Sequence, residues 1–133
     1  MDEQEERALV LGALGARTAR GVGVRLASRW FRWDIIERRL EVPGDLDVVR
    51  ERAAQALEKL GVRVEAPEGD IAAIVGAGVA KLNPALVTLR FGPAATGGRT
   101  TVTARGVAAE GLIKQHAGRR AVDRVAEQLK PGT

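Results

Sequence analysis

The chain has 133 residues, 45% of them apolar, 29% charged and only 3% aromatic. That balance excludes a disordered chain and predicts one globular domain with a core of Val, Leu, Ile and Ala. There is no cysteine and a single histidine, His116, which excludes disulfides, thiol nucleophiles, thiolate metal sites and multi-histidine metal sites.

Residues 3–20 are predicted to form a helical arm. Asp2, Glu3, Glu5 and Glu6 crowd its start, where negative charge suits the helix dipole, and Val10, Leu14 and Arg17 follow at helical spacing. Gly12, Gly15, Gly21 and Gly23 weaken this segment, each by about 1 kcal/mol inside a helix, so the arm needs a neighbour to hold it. An acidic start does not suit a secretory signal. No apolar run reaches the roughly 18 residues of a membrane span, so a cytoplasmic location is expected. The net charge of +4 is uneven: residues 7–39 carry Arg7, Arg17, Arg20, Arg25, Arg29, Arg32, Arg38 and Arg39 against only Asp34 and Glu37. A basic arm of this kind suits an anionic partner, although charge runs are also common on ordinary solvated surfaces.

WFRWDIIERRLEV (30–42) reads as a strand, with Ile36, Leu40 and Val42 on one face and Glu37, Arg39 and Glu41 on the other. PGD (43–45) turns the chain. In LDVVRERAAQALEKLG (46–61), Leu46, Val49, Ala53, Leu57 and Leu60 make one apolar stripe of a helix, with Asp45 or Asp47 as cap and Gly61 as stop. VRVEA (62–66) alternates as a strand and PEGD (67–70) closes a hairpin. IAAIVGAGVAKL (71–82) follows as a strand, and NP (83–84) turns it. ALVTLRF (85–91) points Ala85, Val87, Leu89 and Phe91 inward. RTTVTARGVA (99–108) points Val102 and Ala104 inward, leaving Thr88, Arg90, Thr101, Thr103 and Arg105 outward. EGLIKQHAGRRAVDRVAEQLK (110–130) is helical at least from Gly118. Short turns between successive strands predict an α+β fold: an antiparallel sheet of about five strands packed in two layers against two amphipathic helices. An N-terminal basic arm (1–28) precedes this single domain (29–130).

IVGAGVAKL resembles a dinucleotide-binding turn, but the context fails. Lys81 stands where the third glycine belongs, Asn83-Pro84 stops any helix, and no acidic residue occurs between Asp70 and Glu110. The glycines are instead expected to mark a bulge or a close backbone approach. His116 has no partner of obvious catalytic value, and Glu65, Glu68 and Asp70 read as a solvated turn. GPAATGGRT lacks the ending of a phosphate loop, and Ser28, the only serine, lacks a nucleophile elbow. Neither an enzyme nor a metal or cofactor is expected.

RWFRW (29–33) interleaves rings with arginines, as in single-strand nucleic-acid binders and membrane interfaces. The favoured reading is that Trp30 and Trp33 plug one end of the core. The outward sheet positions carry no ring, which argues against an RNA-reading sheet.

Residues 30–130 resemble two architectures. LVTLRFGPAATGGRTTVTARG followed by an amphipathic helix resembles the helix-grip domain of the START, Bet v1 and polyketide-cyclase group. That likeness implies a sheet curled around a C-terminal helix with an apolar cavity between them. The strand and helix count is closer to the TBP-like β-α-β4-α arrangement. The chain departs from the helix-grip pattern in having fewer strands and one long helix after the first strand. Neither likeness assigns site residues.

The leading functional expectation is a non-catalytic binding domain with a hydrophobic small molecule or lipid held between sheet and C-terminal helix. Its pocket would be lined by Trp33, Ile36, Val75, Val87, Leu89, Val102, Ile113 and Val125, residues that are equally the predicted core. The alternative is a module that docks through Arg17, Arg20, Arg25, Arg29 and Arg32 on an anionic membrane or acidic protein, with nucleic acid ranked lower. A third is a self-assembling homo-oligomer whose arm packs on a neighbouring subunit.

Overall fold

The alternating segments between residues 32 and 110 form one antiparallel sheet. A computed structural model describes residues 1–17, 32–76, 84–94, 96–110 and 116–130. The strands are β1 (Arg32–Pro43), β2 (Gly61–Val64), β3 (Ile71–Val75), β4 (Ala85–Pro93) and β5 (Arg99–Glu110), in the order β1-β5-β4-β3-β2. β2 to β5 are a meander of neighbours. β1 and β2 lie at opposite edges, so the helix that joins them must cross the whole sheet.

That helix, α2 (Leu46–Leu60), begins where Asp45 takes an extended conformation and its Oδ1 accepts a hydrogen bond from the Val48 N–H at 3.0 Å. Val49, Ala53 and Leu57 recur every four residues, and all three are buried against the sheet. The helix stops at Gly61, which is already the first residue of β2. A Cβ at Gly61 would lie 1.9 Å from the Ile74 carbonyl oxygen, so only glycine permits this immediate change from helix to strand. Asp70 N–H donates to the Pro67 carbonyl at 2.9 Å, and Gly69 takes a positive φ of 88°, which closes the β2–β3 turn.

A third helix, α3 (Ala117–Leu129), lies beside α2 on the same face. Ala121, Val122, Val125 and Leu129 join Val87, Leu89, Val102 and Leu57 in the larger core cluster. Its first turn comes close to the strands. A Cβ on Gly106 would meet the Gly118 carbonyl oxygen at 2.5 Å, and one on Gly118 would meet the Asp34 carbonyl oxygen at 2.6 Å.

The arm departs from expectation in its role. α1 (Glu3–Arg17) lies on the other face of the sheet and buries Val10 against Ala72, Ile74, Leu86, Val107 and Ala109. The molecule therefore has three layers rather than two. The physical reason is written in the strands: β3 is buried at all five positions, and β4 and β5 carry Leu86, Val107 and Ala109 on their second face. A sheet that is apolar on both faces needs cover on both.

Some boundaries also shift. The strand expected over 71–82 ends at Val75, and Gly76 turns away with a φ of 87°; residues 77–83 lie outside the described residues. The helix expected over 3–20 is described to Arg17, and the strand expected over 62–66 runs from Gly61 to Val64.

Candidate functional site

α1 covers only part of the second face. Beyond its first turn the strands present polar side chains, and an open cleft of about 240 Å³ lies there. It is lined by Met1 and Glu6 from the start of the chain, Glu37 of β1, Asp70 of the β2–β3 turn, Thr88 and Arg90 of β4, and Thr103 and Arg105 of β5.

Register sets this arrangement. Arg105 stands between Glu37 on one side and Thr88 on the other, and Thr103 stands between Arg39 and Arg90. Residues facing each other across antiparallel strands share a face, so these two rows form a polar lattice. Glu6, one helical turn before the buried Val10, drops onto it and is only 3% exposed. Its two carboxylate oxygens accept from Arg105 Nε at 3.1 and 3.0 Å. This hydrogen bonding raises the Arg105 pKa above its already high ordinary value, against the lowering effect of partial burial. Glu37 Oε2 lies 3.7 Å from Arg105 Nη1, a longer contact.

The rest of the lining is less satisfied. Arg90 Nε lies 3.8 Å from Asp70 Oδ2, with the arginine side chain 74% exposed and the aspartate 11%. Asp70 is thus a shielded carboxylate facing the cleft, not the solvated turn residue that its neighbours Glu65 and Glu68 suggested. Thr88 Oγ1 is buried without a hydrogen-bond partner. An unpaired buried hydroxyl costs roughly 1–3 kcal/mol.

The residues expected to line an apolar pocket divide between the two faces. Val75, Val87, Leu89, Val102 and Val125 are buried in the larger cluster, packed on one another and on the helices, and Ile36 is partly buried against them. Trp33 cannot join them. It is three residues from Ile36, an odd number, so the alternation of the strand sends it to the opposite face. It packs in the smaller cluster with Val10, and the Arg7 guanidinium lies 5.0 Å from its ring centroid. Ile113 lies outside the described residues.

Of the basic arm, Arg17 ends α1 and Arg32 opens β1; Arg20, Arg25 and Arg29 lie outside the described residues. Gly12 has open space where a Cβ would stand, and Gly21 and Gly23 lie outside the described residues. His116 is exposed before α3 in a left-handed conformation, with no side-chain cap hydrogen bond. Among the described residues no group of three or more His, Cys, Asp or Glu could hold a metal ion, and no helix is long and apolar enough to cross a membrane.

Sequence reasoning missed Glu6, Glu37, Asp70 and the pairing of Arg105. One signal was present: Arg105 is the single charge in the interior of β5, between Thr103 and Val107. A charge at that position asks for a counter-charge. Nothing in the pattern says that a glutamate 99 residues earlier supplies it. Comparison with protein-family models, with curated proteins and with solved structures found no match to this chain.

Proposed function

We propose that the protein is a non-catalytic binding domain whose ligand is a small zwitterion, the size of a free amino acid, held in the cleft beside the start of α1. The observation that carries this reading is Thr88 Oγ1, a buried hydroxyl with no partner in a cleft otherwise lined by charges of both signs. Glu6 and Arg105 satisfy each other, which leaves Glu37 at one end and Arg90 at the other. They stand on strands separated by β5 and in neighbouring rows two residues apart, hence about 12 Å apart at the backbone. An ammonium group suits the first and a carboxylate the second, with Thr88 and Thr103 between them. A volume of about 240 Å³ is below the usual range for drug-sized ligands. The lining has no histidine, cysteine or serine, and Thr88 Oγ1 has no hydrogen-bonded base to activate it.

The larger cluster argues for this face over the expected apolar pocket, because its side chains fill the space between sheet and helices with one another. The order β-α-β4-α from β1 onward supports the TBP-like likeness over the helix-grip one, although a fold assigns no ligand.

The test is thermal unfolding across a panel of free amino acids and betaines, neutral sugars, and an apolar fluorescent probe. Zwitterions should raise Tm, with about 2.7 kcal/mol of stabilisation at a hundred times Kd. Thr88→Val should weaken this response yet stabilise the free protein by about 1 kcal/mol, because it removes an unpaired hydroxyl. Arg90→Ala should abolish the response. A rise with the apolar probe alone, indifferent to both substitutions, would overturn the reading.

A further inference from the structure

The two edges of the sheet differ. β2 is four residues long, too short to template another strand. β1 is 12 residues long and pairs with β5 in unbroken register from Arg32–Glu110 to Pro43–Arg99. It has no bulge, and its one proline is the last residue. Among the described residues no strand pairs with its outer side. Every second residue of a strand directs its N–H and C=O to each side, so β1 offers a row of outward backbone groups, of which the Glu41 carbonyl already accepts from Arg99 Nη2 at 3.1 Å.

We infer that this edge is completed by β1 of a second copy of the chain, antiparallel about a two-fold axis through Arg38. The charges on the strand select that partner and that register. Pairing residues whose numbers sum to 76 places Glu37 opposite Arg39 of the second copy, twice by symmetry, on the face that carries α1. On the other face it places the partly buried Ile36 opposite Leu40 of the second copy, again twice. Both members of each pair share a face, as an antiparallel ladder requires. Arg39 makes no ion pair within the described part of its own chain, and Glu37 makes only the 3.7 Å contact with Arg105. At the axis Arg38 meets Arg38, but each guanidinium donates to Asp123 of its own chain at 2.7 Å.

The neighbouring registers are worse. One step back sets Glu37 against Glu37; one step on sets Arg39 against Arg39 and Glu37 against Glu41. A register centred on Ile36 would draw on Asp34 and Arg38, which already bond Arg119 N–H and Asp123 inside the chain. Like charges opposed across strands are destabilising. A register centred on Leu40 would also set Arg39 opposite Glu41, but it aligns only residues 37–43 of the strand, and Glu41 already faces Arg99 at 3.9 Å inside its own chain, so the register through Arg38 is the favoured one. The two five-stranded sheets become one of ten strands. Arg39 of the second copy then stands at the rim of the cleft, beside Glu37. Glu37 serves both readings, with Arg39 of the second copy on one side and the cleft on the other, whereas the chain's own Arg39 does not line the cleft; mass with Arg39→Glu therefore tests the pairing, and ligand titration with Arg90→Ala tests the cleft.

The experiment is sedimentation equilibrium of the full chain over a concentration series reaching the millimolar range. The expected mass is twice the 14.1 kDa of the single chain. Arg39→Glu, which touches no described ion pair, should give a monomer, and so should Glu37→Arg. Mixing these two monomeric variants should restore the dimer, since one then presents arginine at both positions and the other glutamate at both. The double exchange in one chain should also dimerise. A wild type that stays at monomer mass throughout the series overturns the inference. So does a dimer that survives Arg39→Glu, or two folded monomeric variants that fail to associate.

Discussion

Gly106 and Gly118 sit at the closest approach between a helix and the sheet. Each lacks a Cβ that would otherwise press on a carbonyl oxygen, at 2.5 Å for Gly106 and 2.6 Å for Gly118. Backbone cannot step aside as the end of a side chain can, so the first turn of α3 must lift. Gly106→Ala should cost about 2 kcal/mol or more in urea unfolding. Gly118→Ala is the sharper case. Alanine favours a helix over glycine by about 1 kcal/mol, yet the variant should still be less stable than wild type. Gly12→Ala in α1 has open space around it and should show only the propensity gain. If all three substitutions stabilise, the close approach of α3 is not a constraint on the fold.

The elements follow local rules that a sequence can express. α2 starts at Asp45 because an aspartate there accepts from the Val48 N–H while the following residues turn helical. Asp45→Ala should therefore cost about 1 kcal/mol, read by urea unfolding, and Asp47→Ala, without that bond, should cost less. The same local logic made the strands legible. Alternation in ALVTLRF and RTTVTARGVA sent Val87, Leu89 and Val102 to one face, where they are buried. The cleft was not legible, because it is assembled by register. Glu37, Arg105 and Thr88 lie in one row only once β1, β5 and β4 are aligned, and each alone reads as an ordinary exposed polar residue. Alternation also separates Trp33 from Ile36, a distinction lost when scarce aromatics are assumed to join the main core. IAAIV looked like half of a nucleotide motif. Its unbroken apolar run instead records burial on both faces, one of them beneath α1.

At the scale of the whole molecule the two sides of the sheet are held by different means. The α2–α3 side is a continuous apolar cluster. The α1 side is smaller and combines Val10 and its neighbours with a charged anchor, Glu6 on Arg105. Glu6 can be buried only because Arg105 accompanies it, and breaking such a pair from one side leaves an uncompensated charge. The molecule has a way to avoid that: releasing α1 returns Glu6 to water. The raised pKa of Arg105 fixes the sign of any pH effect from its side. Its contribution is complete below the unfolded-state value and is lost only as pH climbs past the folded one, so docking does not weaken through Arg105 anywhere near neutrality. Native-state hydrogen exchange should accordingly find two levels of opening. Amides of Val10, Leu11 and Ala13 should exchange through a local opening that leaves Val87, Leu89 and Val102 protected to the global limit. Arg105→Met should speed exchange in α1 by roughly a hundredfold, about 2.7 kcal/mol of lost docking, which is below the cost of holding a buried unpaired carboxylate because the helix escapes instead. Glu6→Gln, which keeps the shape and removes the charge, should speed it less, since Arg105 retains Glu37 and is partly exposed to water. Equal protection of α1 and the central strands would mean that the three layers unfold as one unit, and that the cleft beside α1 is as rigid as the core behind it.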